Sequence, residues 1–406
     1  MGKRAQLLKI WLDIRASYWF LPSLLVICGL LLAGVTDWLD HNVGYFPLEL
    51  PDTLLDTQSE GARSTLAVIA QSIIGVTGVM FSMTIVAVSF ASGNFGPRLI
   101  GNFMRDRGNQ WSLGILISTF VYAIFVLRSV QDGVDGGAEQ FVPQYSLIVA
   151  LLLTLVCVFT MIYFVHHVPE TINVSRISAN LGAKLEDQVR QLIDAQEDAF
   201  EPELLPERPP DHTIAAGSSG YIQTCYVSRL EELAEENAWH IQMLPAVGDF
   251  VTEVTDVFRL WADAPLDDDA LSDLADCFAI GSERTENQNP AFLANQLVEM
   301  AARALSPGVN DPYTAMDCLN RMHAALTVAS AYKGGLSPHQ RDRVKIPKLD
   351  FDALFAETFP LCREYVKPDD LTRRHAVSLL ETLEQSVREE DGAVIRREVS
   401  RLSDDT

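Results

Sequence analysis

The sequence predicts a membrane α-helical protein, with four transmembrane helices followed by a cytosolic α/β domain that has a small β module and a helical C-terminal part. Three observations predict this fold class. Four charge-free apolar runs fill most of the first 170 residues, and basic residues between them fall almost entirely on alternate sides. The rest of the chain is polar and carries most of the formal net charge of −23.

The apolar runs lie between Arg15 and Asp37, Arg63 and Arg98, Arg107 and Arg128, and Glu139 and Glu170. Each supplies the roughly 20 residues that a helix needs to cross about 30 Å of hydrocarbon. A single segment of chain can satisfy all its own backbone hydrogen bonds in lipid only as a helix. Aromatic residues typical of membrane interfaces lie near the ends of the runs: Trp19, Trp38, Trp111, Tyr145 and Tyr163.

The basic residues predict the orientation of these helices. The residues on one side are Lys3, Arg4, Lys9 and Arg15, then Arg98, Arg105 and Arg107, then Arg176, Lys184 and Arg190. The 36–64 loop has Arg63 as its one basic residue, and the 129–144 loop has acids only. The positive-inside rule therefore predicts that both termini are cytoplasmic. The first run lacks a convincing cleavage site, so we interpret it as an uncleaved anchor.

Four domains follow from the changes in composition. Residues 1–167 form the predicted transmembrane domain, and residues 168–212 a helical connector with a proline-rich linker. Residues 213–262 have short β-prone pieces punctuated by glycine and proline, which predicts a small β-rich module. Residues 263–406 are predicted to be helical, starting with a helix from Leu266 through Ile280.

Composition also excludes several classes of function. A strongly acidic tail argues against nucleic acid as a partner. The six cysteines show no CxxC or Cys/His ligand spacing, so neither a disulfide framework nor a structural zinc site is predicted. No metal and no cofactor are expected. No P-loop, dinucleotide fingerprint or nucleophile elbow is found, which lowers the expectation of an enzyme without excluding one.

The second run carries small and polar residues along one helical seam: Gln71, Gly75, Gly78, Ser82, Ser89 and Ser92. Small residues let membrane helices approach closely, which favours a tight packing seam. Hydroxyls and exposed glycine backbone can also line the path of an ion. The two interpretations are compatible if identical subunits surround an axis.

The densest polar signal of the tail lies in residues 281–315. Asp311 followed by Pro312 predicts a helix start, and Ser306-Pro307-Gly308 predicts a tight turn before it. The segment is therefore explained as a corner between two helices. The alternative is a polar pocket that binds a small ligand or a neighbouring subunit, formed by Arg284, Thr285, Gln288, Arg303, Asn310 and Asp311.

The 303–315 segment also carries a family resemblance. Together with Phe95-Gly-Pro-Arg98, the 119–128 stretch and Gly248-Asp-Phe-Val251, it resembles bacterial predicted membrane proteins catalogued as domain of unknown function 2254. The resemblance spans most of the chain and is most specific in the segment Ser-Pro-Gly-Val-Asn-Asp-Pro. It implies a membrane protein with a cytosolic C-terminal region and implies no activity. We therefore expect a multi-pass protein of the bacterial cytoplasmic (inner) membrane.

Three functions remain open at the level of the sequence. The first is an oligomeric channel or transport-like protein for a small ion, with the second helix lining an axial path and the tail regulating it. The second is a membrane-anchored signalling or interaction module that uses the 281–315 region to bind a ligand or partner. The third is a membrane-bound enzyme. The lipid bilayer and a second copy of the chain are the expected partners.

Overall fold

The computed structural model describes residues 17–42, 58–95, 106–131, 141–194, 205–262, 268–330, 343–347 and 349–404. The chain divides into two compact units. The membrane unit comprises Asp13–Gly93 and Pro97–Asn173, and the C-terminal unit consists chiefly of Val174–Thr406. The two units are described separately below.

The described residues of the membrane unit include four helices long and apolar enough to cross a membrane, which agrees with the four helices predicted from the sequence. These are α1 (Phe20–His41), α2 (Ser59–Phe95), α3 (Arg107–Ser129) and α4 (Gln144–Thr171). Many large apolar side chains on their outer surfaces are exposed, as expected of helices that face lipid rather than water.

Helices α1 and α3 cross closely because both have small residues at the contact. A Cβ placed on Gly29 would lie 2.9 Å from the backbone oxygen of Ser118, and one on Gly114 would lie 3.1 Å from Cα of Pro22. The Ser118 hydroxyl donates to the Leu25 carbonyl at 2.7 Å. Without a hydrophobic driving force between helices in lipid, such close packing and hydrogen bonds hold the bundle together.

A buried polar network joins α1, α3 and α4. The Asp40 carboxylate accepts hydrogen bonds from the backbone N–H of Tyr145 (2.8 Å) and of Ser146 (3.0 Å), and from the Ser146 hydroxyl (2.6 Å). The Tyr122 hydroxyl donates to the Ser146 carbonyl at 3.0 Å and lies 2.9 Å from Oγ1 of Thr36. Asp40, which belongs to α1, therefore caps the N-terminus of α4. Negative charge is favourable at the N-terminus of a helix.

The helical connector predicted to begin at residue 168 is separated from the last membrane helix by a short break. Helix α4 ends at Thr171, and a new helix, α5 (Val174–Asp194), begins three residues later. Pro169 lies in the last turn of α4 and has no backbone N–H to donate, which weakens the helix where it ends.

The described part of the C-terminal unit has seven strands, which form two small sheets. In the first sheet the order is β1–β5–β3–β7, with β3 and β7 parallel; in the second it is β4–β2–β6. The strands are β1 (His212–Ala215), β2 (Gly220–Cys225), β3 (His240–Met243), β4 (Phe250–Val251), β5 (Asp256–Trp261), β6 (Phe278–Gly281) and β7 (Val344–Lys345). Their apolar faces share one core that includes Ile222, Ile241, Phe258 and Ile280.

Two of these strands come from the segment predicted to be helical. The prediction of a helix through Ile280 is wrong, because the helix that starts there ends at Ala275 and Phe278–Gly281 pairs with β2. Strand β7 also lies beyond residue 262. A short apolar run is compatible with either the end of a helix or a strand. Here the run forms a strand because its backbone pairs with the edge of β2.

The remaining helices are α6 (Val227–Asn237), α7 (Asp268–Ala275), α8 (Pro290–Ala304), α9 (Pro312–Ser330), α10 (Phe351–Ala356), α11 (Phe359–Val366), α12 (Asp370–Glu384) and α13 (Glu389–Ser403). Helix α5 packs on α8 and α9, and α9 packs on α12. Residues 351–366 form two helices rather than one, and Pro360, which has no backbone N–H, lies in the first turn of α11, where an N–H has no partner within the helix. Arg363 on α11 forms a bidentate ion pair with the buried Glu398 of α13.

Candidate functional site

The C-terminal unit contains a cavity of about 1290 Å³. Its walls are α5, the first turns of α6, the turn over residues 243–249, the segment over 284–291 that leads into α8, and helix α10. Two residues of the sequence-predicted pocket, Arg284 and Gln288, line this cavity.

Gln288 holds the 284–291 segment against strand β2. The Cys225 N–H donates to Gln288 Oε1 at 3.0 Å, and Gln288 Nε2 donates to the Cys225 carbonyl at 3.2 Å. The Thr285 hydroxyl adds a bond to the Gln223 carbonyl at 3.1 Å. Gln288 itself adopts a φ of +52°, a conformation that few residues other than glycine take up. Gln288 and Thr285 therefore position the cavity wall through backbone contacts.

Asn289 caps helix α8 at the edge of the cavity. Its Oδ1 accepts from the Phe292 N–H at 3.0 Å, and Pro290 follows in the first turn. The residue is 3% exposed, and its Nδ2 has no hydrogen-bond partner among the described residues. Gly248, with a φ of +101°, leaves the space that this amide occupies, since a Cβ there would overlap Nδ2. The Asn-Pro pair before an apolar run is the sequence signal that could have identified this cap.

Arg284 is held by an uncharged partner and an aromatic ring. Its Nη1 donates to Asn295 Oδ1 at 2.9 Å, and its guanidinium carbon lies 5.5 Å from the centre of the Phe292 ring. This geometry is that of a cation–π contact. Its Nε is buried and has no partner within the described part of the chain.

Four cavity-lining residues thus have a buried polar atom that lacks a partner among the residues the structure describes. They are the acceptors Gln188 Oε1 and Asp276 Oδ1 and the donors Arg284 Nε and Asn289 Nδ2. An unpaired buried donor or acceptor costs about 1–3 kcal/mol, so native proteins contain few of them. These atoms have almost no accessible surface, so they lie beneath the wall of the cavity, whereas other atoms of the same residues form its lining.

Acidic side chains outnumber basic ones in the described lining of the cavity. The acids are Glu232, Asp249, Asp273, Asp276 and Glu357, and the bases are Arg229 and Arg284. Arg229 is already paired, with Glu232 at 2.9 Å and with Asp273 at 3.3 Å. The remaining lining therefore has an excess of negative charge.

The other predicted pocket residues, Arg303, Asn310 and Asp311, lie at the opposite end of α8. This helix has 15 residues, and at 1.5 Å per residue it is about 22 Å long, so the six residues form two groups rather than one pocket. The Thr314 N–H donates to Asp311 Oδ1 at 3.1 Å, which confirms Asp311 as the N-cap of α9. Asn310 has a φ of +51°, as expected in a tight turn between two helices.

The thiols near the cavity are not activated. Burial raises the pKa of Cys225 and of Cys277 to about 12. Because the thiolate is the reactive form, both side chains stay protonated and unreactive at neutral pH. The described residues also contain no cluster of three or more His, Cys, Asp or Glu side chains placed to hold a metal ion.

The small-residue seam of α2 faces away from the other helices of its unit. Gln71, Gly75, Gly78, Ser82 and Ser89 are all exposed, whereas the opposite face of α2 is buried. A Cβ on Gly75 or Gly78 would meet no described atom within 4 Å. The seam borders a groove of about 730 Å³ whose other walls include Val79, Val86, Phe90 and Pro169. The side chain of Ser92 lies outside the described residues.

The Ser82 hydroxyl donates to the Gly78 carbonyl at 2.9 Å, so it is satisfied within its own helix. The groove is lined almost wholly by apolar groups. Among the described residues the seam is therefore not a packing interface, and as a surface it suits lipid or another apolar helix better than an ion.

Comparison with known proteins finds sequence relatives but no structural one. A family model described as "Predicted membrane protein (DUF2254)" matches residues 15–382. Uncharacterized proteins of Mycobacterium bovis and Mycobacterium tuberculosis are each 32% identical to the chain over 325 residues. These alignments cover 78% of this chain and 61% of each relative, so the chain spans about three fifths of the length of its relatives. No solved structure matches it.

Proposed function

Since the chain belongs to the DUF2254 family of predicted membrane proteins, we propose that it is a membrane-anchored module that binds a small polar molecule in its C-terminal unit. The observation that carries this proposal is the cavity of about 1290 Å³, whose lining combines apolar side chains with charged and amide groups. We further propose that the protein lies in the bacterial inner membrane, and the basic residues, by the positive-inside rule, favour a cytoplasmic C-terminal unit.

The size and lining of the cavity support ligand binding. At about 1290 Å³ it is somewhat larger than the roughly 300–1,000 Å³ typical of small-molecule sites. Apolar side chains such as Met243, Val247 and Ile346 form part of the wall, and charged and amide side chains form much of the rest. Ligand sites combine an apolar wall with polar groups that fix the orientation of the ligand, and this cavity has both, with more polar groups than is usual.

Helix α5 connects the cavity to the membrane unit along the chain. It starts three residues after the last membrane helix ends and lines the cavity with Gln188. Gln188 Nε2 donates to the Glu286 carbonyl at 2.6 Å, and Lys184 pairs with the Glu286 carboxylate at 2.8 Å. A ligand that contacts the 284–291 segment is therefore linked to α5 through these two contacts of Glu286, which supports a signalling role.

A substitution that fills the cavity tests this proposal. Ala353 lines the cavity on α10, whereas Ala356 on the same helix is exposed and is not part of the lining. Purified full-length wild type, Ala353→Phe and Ala356→Phe are compared by thermal unfolding against amines, amino acids, carboxylic acids, sugars and nucleotides. We expect at least one class to stabilise wild type and Ala356→Phe but not Ala353→Phe. If no class gives this pattern, the cavity is not a ligand site.

A homo-oligomeric channel or transport-like protein is the second candidate function. It is favoured by the exposed small-residue face of α2, which has no packing partner among the described residues of its own unit. Copies of α2 packed around an axis would bring Gln71, Ser82 and Ser89 together, and glycine would allow the close approach.

Single cysteines on α2 test the channel. In a chain without native cysteines, Ser82→Cys and Ser89→Cys line the path and should react with a water-soluble thiol reagent in membranes. Phe81→Cys, on an exposed neighbouring side of the helix, should stay protected. Reaction at Ser82→Cys should also lower ion flux in liposomes. Equal protection of all three positions together with an absence of flux would eliminate this candidate.

A further inference from the structure

The corner between α8 and α9, residues 305–311, presents apolar side chains to the solvent. Val309 is 42% exposed, and Tyr313, in the first turn of α9, is 74% exposed. The segment Leu305-Ser-Pro-Gly-Val-Asn310 carries no charge, although the chain has a formal net charge of −23. The corner is therefore an uncharged surface with one aromatic and one aliphatic side chain on a strongly acidic protein.

Helix α9 runs parallel to α5, as two contacts between them show. The Ser178 hydroxyl donates to the Asp317 carboxylate. A Cβ on Gly182 would lie 2.8 Å from Cβ of Arg321. The two contacts are four residues apart on both helices, so one further turn back brings the start of α9 level with the start of α5.

Helix α8 leads to the same placement of the corner. Lys184 and Gln188, in the second half of α5, contact Glu286, which lies four residues before Pro290 begins α8. Helix α8 packs along α5 and has 15 residues, the same number as residues 174–188. The corner that follows α8 therefore lies beside the first turn of α5.

The first turn of α5 is close to the membrane because of the covalent chain. The apolar run of α4 ends before Glu170, and α4 itself ends at Thr171, three residues before Val174. Three residues span at most about 11 Å, and packed helices lie about 8–10 Å apart. The start of α9 is therefore within about 20 Å of the end of the last membrane helix, whatever angle the two units adopt.

The chemistry of the corner suits the surface of a bilayer. Tyrosine is enriched where membranes meet water, since its ring is apolar and its hydroxyl can remain hydrated. Anionic lipids give the cytoplasmic leaflet a negative surface potential, which repels acidic protein surfaces. An uncharged corner can approach such a surface without this repulsion.

We infer that the α8–α9 corner rests on the lipid surface, with Tyr313 and Val309 among the headgroups. The partner of this surface is the bilayer itself rather than another protein. The inference does not depend on the proposed ligand, because the corner and the cavity lie at opposite ends of α8.

A fluorescent label at the corner tests this inference in the full-length protein. Cys28 is the one exposed cysteine and the other five are buried, so Cys28→Ala leaves a chain that is labelled only at an introduced cysteine. The labelled positions are Val309→Cys and, as a matched control, Thr327→Cys. Thr327 is exposed on the same helix, 14 residues or about 21 Å beyond Tyr313.

Each labelled protein is placed as a single copy in phosphatidylcholine nanodiscs, with and without lipids that carry a nitroxide quencher. We expect the label at Val309→Cys to emit at shorter wavelength in nanodiscs and to be quenched by the nitroxide lipid. The label at Thr327→Cys should show neither change. The control also excludes insertion that is driven by the label alone.

Substitutions of Tyr313 in the Val309→Cys protein test the role of the aromatic ring. Tyr313→Asp removes the ring and places an acid in the first turn of α9, where it is favourable for the helix. Quenching by the nitroxide lipid should be lost in this variant. Tyr313→Trp should retain the quenching, because tryptophan is also enriched at membrane interfaces. Thermal unfolding shows that both variants are folded.

Three results would overturn the inference. One is a label at Val309→Cys that the nitroxide lipid quenches no more than the label at Thr327→Cys. Another is a label at Val309→Cys that is shielded from aqueous iodide but not quenched by the lipid, since a protein surface would then cover the corner. The third is unchanged quenching in folded Tyr313→Asp. None of these results bears on ligand binding in the cavity.

Discussion

Several polar side chains that line the cavity also form hydrogen bonds to the backbone. Asn289 is an example, because one end of its amide caps α8 while the other end remains unpaired beside the cavity. Arg284 and Gln288 could be predicted as site residues because polar residues are dense in the 281–290 segment. Gln188 and Asp276 could not, since each resembles an ordinary surface residue of a helical pattern and its role depends on folding.

Two substitutions at Asp311 distinguish the effect of its N-cap hydrogen bond on stability from the effect of its charge. Its carboxylate accepts from the Thr314 N–H at 3.1 Å and from the Thr314 hydroxyl at 2.6 Å. Asp311→Ala removes the cap and should lower the free energy of unfolding by about 1 kcal/mol, whereas Asp311→Asn keeps a capable N-cap. Chemical denaturation of the purified variants measures both changes. Equal losses in the two variants would show that the charge, rather than the cap, matters.

His323 on α9 and His375 on α12 make stability depend on pH. Burial lowers the pKa of His323, and the nearby His375 lowers it further; burial also lowers the pKa of His375. The unfolded chain therefore binds protons more readily than the folded one, so stability falls as pH drops below about 6.5. The melting temperature should be lower at pH 5.5 than at pH 7.5, and His323→Gln should reduce the difference. An unchanged difference would assign the effect to other groups.

Among the elements of the fold, the membrane helices could be predicted most fully from the sequence. Lipid permits few charges in a spanning helix, so composition alone locates these segments. Strand β6 could not be predicted, because its four residues acquire their conformation by pairing with β2, more than 50 residues earlier in the chain. The cavity could not be predicted from the sequence either, because its walls come from segments spread along the chain between Gln188 and Glu357.

Glycines in two helices of the membrane unit lead to opposite predictions. Gly29 on α1 lies against the Ser118 backbone, so Gly29→Leu should force α1 and α3 apart and destabilise the unit by at least about 1–3 kcal/mol. Gly75 on α2 has open space around it, so Gly75→Leu should leave the fold intact and, if copies pack along α2, abolish self-association.

Thermal unfolding and light scattering in detergent distinguish these two effects. A Gly29→Leu variant as stable as wild type would contradict the close crossing of α1 and α3. A Gly75→Leu variant that assembles like wild type would show that the α2 seam faces lipid rather than another copy.

For the whole molecule, the arrangement across the membrane is the most direct prediction. The placement of basic residues predicts that reporter fusions after Asp52 and after Asp135 report an external location. Fusions after Asp106 and at Thr406 should report an internal one. An external location for Thr406 would reverse the topology and remove the C-terminal unit from the cytoplasm.

The hydrogen bonds of Asp40 also set an order of events during synthesis. The carboxylate lies near the end of α1, and its partners on α4 are Tyr145 and Ser146, made 105 and 106 residues later. Domains of larger proteins generally fold as units while the chain is still emerging from the ribosome. Here the bundle cannot close until its last helix has been made, because the cap of α4 is supplied by the first. A chain that stops after α3 leaves Asp40 without its three donors, and this distinguishes an unfinished copy from a complete one.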